Sequence, residues 1–146
     1  MVDFKKRLSK GEIEIKTNPL DIYKTLDRSS ITGPLRPAQA SILNTWFRNK
    51  QLVNDVIIKL HTGEGKTLIG LLILQSKLNQ NSGPCVYICP NIYLVHQVSQ
   101  EAQKFGISFC HIGADNELPN DFLEGKKILI THIQKLFNGK SKFGIT

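Results

Sequence analysis

The chain has 146 residues, enough for one compact domain with a hydrophobic core, and its 40% hydrophobic, 21% charged composition excludes wholesale disorder. No apolar run reaches the roughly 18–20 residues of a membrane-spanning helix, and no apolar stretch follows the basic start MVDFKKRLSK as it would in a secretory signal. The expectation is therefore a cytoplasmic protein with no membrane partner. The formal net charge of +7 draws on Lys5, Lys6, Arg7 and Lys10 near the start and on Lys126, Lys127, Lys135, Lys140 and Lys142 near the end. Such an excess suits a polyanion, and it equally suits a solvated lysine surface.

Residues 1–17 show no stable period and read as a loose arm or an edge element. The stretch NPLDIYKTLDR predicts a short helix, with Asn18 as cap, Pro19 in the first turn and Leu20, Tyr23 and Leu26 as its apolar stripe. SSITGP breaks the chain. RPAQASILNTWFRNK predicts a second helix, with Ala38, Ile42 and Trp46 at four-residue spacing and Trp46 in the core.

The pattern then changes. VIIKL, residues 56–60, is a β-branched apolar run that predicts a buried strand. After a glycine-containing loop, GKTLIGLLILQSKL is apolar nearly all round, as a buried helix would be. CVYIC predicts a strand stopped by Pro90, followed by a helix over IYLVHQVSQEAQKF that Asn91 caps and Gly106 ends. ISFCHI and ILIT predict two more strands, GADNELPNDFLEGKK a surface loop between them, and HIQKLFNG a last short helix. This alternation is that of an α/β domain with a parallel sheet, whose ligands gather at the carboxyl ends of the strands.

The three cysteines favour no metal. Cys85 and Cys89 share one face of a predicted strand but lie ~13 Å apart at ~3.3 Å per residue, and Cys110 and His111 point to opposite faces. Buried reduced thiols are the expectation.

The loop LHTGEGKT, residues 60–67, carries the chemistry. Gly63 and Gly65 let the backbone turn tightly and aim successive N–H groups at one point, where the positive end of the following helix adds its field. Lys66 is placed to reach β- and γ-phosphates, and the Thr67 hydroxyl to meet a magnesium ion bridging them. Leu60 replaces the first glycine of G-x-x-x-x-G-K-[ST], at a position where a side chain can turn into the core. Glu64 can turn its side chain outward while its backbone joins the anion nest.

LHTGEGKT resembles motif I of superfamily 2 helicases and translocases, and flanking stretches resemble further motifs in the same order, over residues 34–138. LRPAQ is similar to the adenine-reading Q-type motif, YICPNIYLVHQV to motif Ia, and ILITHIQKL to the later strand-end threonine motif. The resemblance, with the DEAD/DEAH and restriction-subunit-like group as the nearest type, implies a P-loop, RecA-like three-layer sandwich with a mainly parallel sheet, here incomplete. It implies residues 1–33 as an N-terminal extension and 34–146 as part of the ATP-binding domain. ATP with Mg2+ is the implied cofactor, held by Arg36, Gln39, Thr62, Gly63, Glu64, Gly65, Lys66, Thr67 and Leu68, with Lys66 and Thr67 catalytic and Thr67 the metal ligand. DNA or RNA is the implied partner, met by Pro90, Asn91, Gln97, Thr131 and His132. Asn91 stands where the motif has threonine and serves equally as a helix cap, and His132 departs from the motif.

The Asp-Glu pair of motif II does not occur in the chain. The motif order places it after Thr146, together with a second motor domain, so a fragment that binds ATP without hydrolysing it is expected. Two other readings remain open: the motor of a SecA-like polypeptide translocase, and a non-catalytic nucleotide-binding or interaction module.

Overall fold

A computed structural model describes residues 15–137. The basic arm before residue 15 and the end of the last predicted helix, with Lys140 and Lys142, lie outside the described residues. Helix α1 spans Pro19–Thr25, and the Asn18 side chain caps it by accepting the Leu20 N–H at 3.0 Å. Helix α2 spans Pro37–Thr45 and runs on as a π-helical segment, Trp46–Lys50. Trp46 is buried there, with the Lys77 ammonium 5.6 Å from its ring centroid.

The elements that follow are α3 (Lys66–Asn79), β1 (Val86–Cys89), α4 (Ile92–Phe105), β2 (Phe109–Cys110), a one-turn α5 (Asn120–Leu123), β3 (Ile128–His132) and a one-turn α6 (Ile133–Leu136). As expected, Asn91 accepts the Leu94 N–H at 3.0 Å to cap α4, and Gly106 ends that helix in the left-handed region at φ 73°. Val95, Val98, Ser99, Ala102 and Phe105 form the buried stripe of α4.

The three strands form an open, all-parallel sheet in the order β1-β3-β2. β3 is the middle strand, and its Ile128, Leu129 and Ile130 are fully buried. In register, Cys89 lies beside His132 and Phe109 beside Ile128. α3 and α4 each pack against β1 and β3 and also against one another. Ile22 and Tyr23 of α1 belong to the same core cluster as Leu43, Leu72, Val98 and Ile130. Among the described residues, no helix is long and apolar enough to cross a membrane.

Three expectations are corrected. Residues 56–60 are not a strand: they run without ladder pairing, Ile57 is 86% exposed, and only Ile58 and Leu60 lean against the core. A strand exists by pairing, and no described strand lies alongside this segment to take its N–H and C=O groups. The strand expected over ISFCHI shrinks to two residues, since β2 is an edge strand that pairs with β3 only at Phe109 and Cys110. The predicted surface loop contains α5, which turns Phe122 into a buried position.

Candidate nucleotide site

The loop at 61–65 enters α3 through two left-handed residues, Gly63 at φ 87° and Gly65 at φ 78°. Any side chain is strained at these angles, so the glycines are a backbone requirement. Nothing crowds Gly63, whereas a Cβ on Gly65 would collide with the Gln39 amide nitrogen. Leu60 does turn toward the core. Glu64 is half-buried, and its side chain is not on the cavity wall. Its N–H donates to the His61 carbonyl at 3.2 Å, so this donor closes the turn instead of joining an anion nest, a correction to the expectation.

Helix α2 braces the loop from the other side. Arg36 Nη1 donates to the Gly63 carbonyl, and Gln39 Nε2 donates to the Gly65 carbonyl at 3.2 Å. Gln39 Oε1 also accepts the Arg36 N–H at 2.9 Å, one arm of a capping box at the start of α2. Gln39 is 5% exposed. A primary amide has two N–H donors and two lone pairs, so one of each is left after these bonds.

A cavity of about 620 Å³ opens between these parts, within the range of small-molecule sites. Thr62, Gly63, Gly65, Lys66, Thr67 and Leu68 form one wall, with Arg36 and Gln39 beside them. The structure thus brings together the residues expected for a nucleotide, apart from the Glu64 side chain. It adds a wall that the motifs did not indicate, Tyr23, the turn Ile31–Pro34, and Glu101 and Lys104 from α4, together with Gln97, which was expected at the nucleic acid instead. That turn is fixed by Tyr23, whose hydroxyl donates to the Gly33 carbonyl at 2.5 Å. Arg28 stacks at 4.1 Å over the Tyr23 ring and donates to Gly33 O and Thr32 Oγ1. A helical period in α4 places Gln97, Glu101 and Lys104 on one face, a signal that could have found them had the neighbouring wall been known.

Tyr87 of β1 lies outside this cavity, behind Thr67. Burial pushes its phenol upward, and the nearby Thr67 side chain draws it the other way. Burial also raises the thiols of Cys85, Cys89 and Cys110, all three of them unpaired by disulfides.

The residues expected to meet nucleic acid divide. The β1–β3 register sets Pro90 and Asn91 next to the end of β3, so they share the carboxyl edge of the sheet with Thr131 and His132. A second cavity, of about 210 Å³, opens there between Thr131, His132, His96, His111 and Lys135. Thr131 is buried, and His132 Nδ1 is buried without a hydrogen-bond partner. The Asn91 side chain is engaged in capping α4. Gln97 lines the larger cavity beside the loop and is not among the residues around the smaller one.

The family model for the DEAD/DEAH box helicase matches residues 36–142. No curated protein and no solved structure shows significant similarity to the chain. The small open parallel sheet with its packed helices suits part of a RecA-like domain. With the matched region covering both the braced glycine loop and the strand-end edge, the chain belongs to the DEAD/DEAH box helicase family.

Proposed function

We propose that this chain is the nucleotide-binding part of an ATP-dependent nucleic-acid helicase or translocase. The observation that carries the reading is the convergence of two left-handed glycines, Lys66, Thr67 and Gln39 on one cavity. The donor set fits a magnesium nucleotide: a helix N-terminus, an exposed ammonium and a hydroxyl. Lys66 and the backbone around Gly65 would hold the phosphates, and the Thr67 hydroxyl would be the chain's ligand to magnesium. When bound, the ion neutralises charge between the β- and γ-phosphates. The N–H and lone pair left on Gln39 are the two groups that adenine N7 and N6 require. Pro90, Thr131 and His132 supply the strand-end edge for a DNA or RNA backbone, with the Asn91 side chain kept for its helix.

The test is titration of labelled ATP into the wild-type chain and Lys66→Ala. The variant should bind at least about 10-fold more weakly, the scale of a charge-assisted contact to phosphate. Equal affinities would overturn the assignment. Because the chain has no Asp-Glu pair to orient water, it should bind ATP without turning it over. A nucleic-acid-stimulated phosphate release by these 146 residues would refute that part.

A further inference from the structure

The larger cavity has three cations on its wall, Arg36, Lys66 and Lys104, and one carboxylate, Glu101. Among the described residues, no hydrogen bond or ion pair engages that carboxylate, which is half-buried on α4. Its place along the cavity follows from the helix that carries it. α3 leads to the start of β1 and α4 to the start of β2, so both helices begin at the carboxyl edge of the sheet, where the glycine loop enters α3. On α4, Gln97 comes first, Glu101 lies ~6 Å further from that edge at ~1.5 Å per residue, and Lys104 ~4.5 Å beyond it. The Lys104 carbonyl accepts the Ser29 N–H at 2.9 Å, which ties that end of α4 to the turn between α1 and α2. Glu101 therefore faces the stretch of cavity between the glycine loop and that turn. Gln39 stands on another wall: it comes from α2, which packs on α1 and α3, whereas α4 packs on α3 and the sheet.

An ionised carboxylate only accepts hydrogen bonds, and it repels phosphate. The donors of a nucleotide such as ATP are the amine of the base and the hydroxyls of the sugar. Gln39 has a free lone pair for the amine, which leaves the hydroxyls. We propose that Glu101 holds the ribose of the bound nucleotide, its two carboxylate oxygens accepting the vicinal 2′- and 3′-hydroxyls, and so selects ribonucleotides. An acid that accepts from a ribose hydroxyl is how another α/β nucleotide-binding fold holds its sugar. Here the acid comes from a helix outside the glycine loop. A carboxylate in a cavity that takes a polyanion weakens binding unless donors meet it, so the sugar is the group that it discriminates. The inference rests on the nucleotide reading above and adds the ribose to the groups that the site recognises.

The experiment is titration of the full chain, wild type and Glu101→Ala, with ATP, with 2′,3′-dideoxy-ATP, and with ITP, which keeps the ribose and lacks the amine. Alanine suits a helix, and an unchanged helical circular dichroism spectrum checks the fold of the variant. Wild type should bind ATP at least about 10-fold more tightly than the dideoxy nucleotide, the scale of hydrogen bonds to a charged acceptor. Glu101→Ala should bind those two about equally, while its preference for ATP over ITP stays that of wild type. The substitution also removes a negative charge near the phosphates, so the readout is the ratio between nucleotides and not the affinity for one. Equal binding of ATP and the dideoxy nucleotide by wild type would overturn the role of Glu101, with or without a folded variant. So would a sugar preference that survives in Glu101→Ala, or a collapse there of the preference for ATP over ITP, which would put the carboxylate on the base. Lys66→Ala separates the two readings. If wild type and Lys66→Ala bind ATP equally, the nucleotide assignment falls; if they differ and the sugar preference is absent or independent of Glu101, only the role of Glu101 falls.

Discussion

Gly63 and Gly65 share a backbone conformation but not an environment, and substitution by alanine should separate strain from collision. At Gly63 the added Cβ meets nothing within 4 Å, so Gly63→Ala carries only the left-handed penalty, about 1 kcal/mol. At Gly65 the same penalty applies, and the Cβ also drives into the Gln39 amide nitrogen. Gln39 must withdraw, giving up its bonds to Gly65 O and to the Arg36 N–H. At about 1 kcal/mol for each hydrogen bond, Gly65→Ala should cost about 3 kcal/mol in all. Urea unfolding followed by circular dichroism measures both variants on the same chain. A double-mutant cycle with Gln39→Ala adds a sharper check. Once the amide is gone, Gly65→Ala should cost no more than Gly63→Ala, leaving a coupling of about 2 kcal/mol between positions 39 and 65. Equal costs for the two glycine variants, or additive behaviour with Gln39→Ala, would refute the view that helix α2 braces the loop.

Two further outcomes are expected. Ile57→Lys, at an exposed position in the unpaired segment, should change unfolding free energy by less than about 0.5 kcal/mol, whereas Leu72→Ala in the core should cost about 2–5 kcal/mol; a cost for Ile57→Lys near that of Leu72→Ala would mean that residues 56–60 are a buried strand after all. Stability should fall as pH rises above about 8.5, because burial raises the Cys85, Cys89 and Cys110 thiols, so the unfolded chain loses those protons first and the folded one retains them. Denaturant midpoints that hold steady or increase between about pH 7 and about pH 9.5 would contradict this.

What the sequence made legible was local. The caps at Asn18 and Asn91, the helix stop at Gly106 and the glycine turns of the loop each follow from one residue's conformational preference or hydrogen-bonding reach. Residues 56–60 show where such reasoning ends. Their β-branched run says that they suit a pleat, but a ladder also needs a neighbour, and that is a tertiary fact. The π-helical turn at Trp46–Lys50 left no mark on the periodicity. The site divides the same way. Lys66, Thr67 and Gln39 announce themselves by type and spacing, whereas Tyr23, Glu101 and Lys104 reach the cavity only because α1 and α4 pack beside the loop. Tyr87 reads from sequence as one more strand aromatic; that its ring needs the bare backbone of Gly70 emerges only when the strand is seen packed on α3.

The order β1-β3-β2 also governs how the chain acquires its shape in time. The middle strand is the last of the three to leave the ribosome, and the two earlier strands meet only through it. Until residues 128–132 emerge, Val86–Cys89 and Phe109–Cys110 have no described strand to pair with. Helices α1 to α4 can form and collapse first, but the sheet closes in one late event that joins segments distant in sequence, the kind of step that sets a slow folding rate. A nascent chain stalled before residue 128 would expose both outer strands, open to protease and to chaperone capture, and one stalled far enough downstream to release β3 would protect them together.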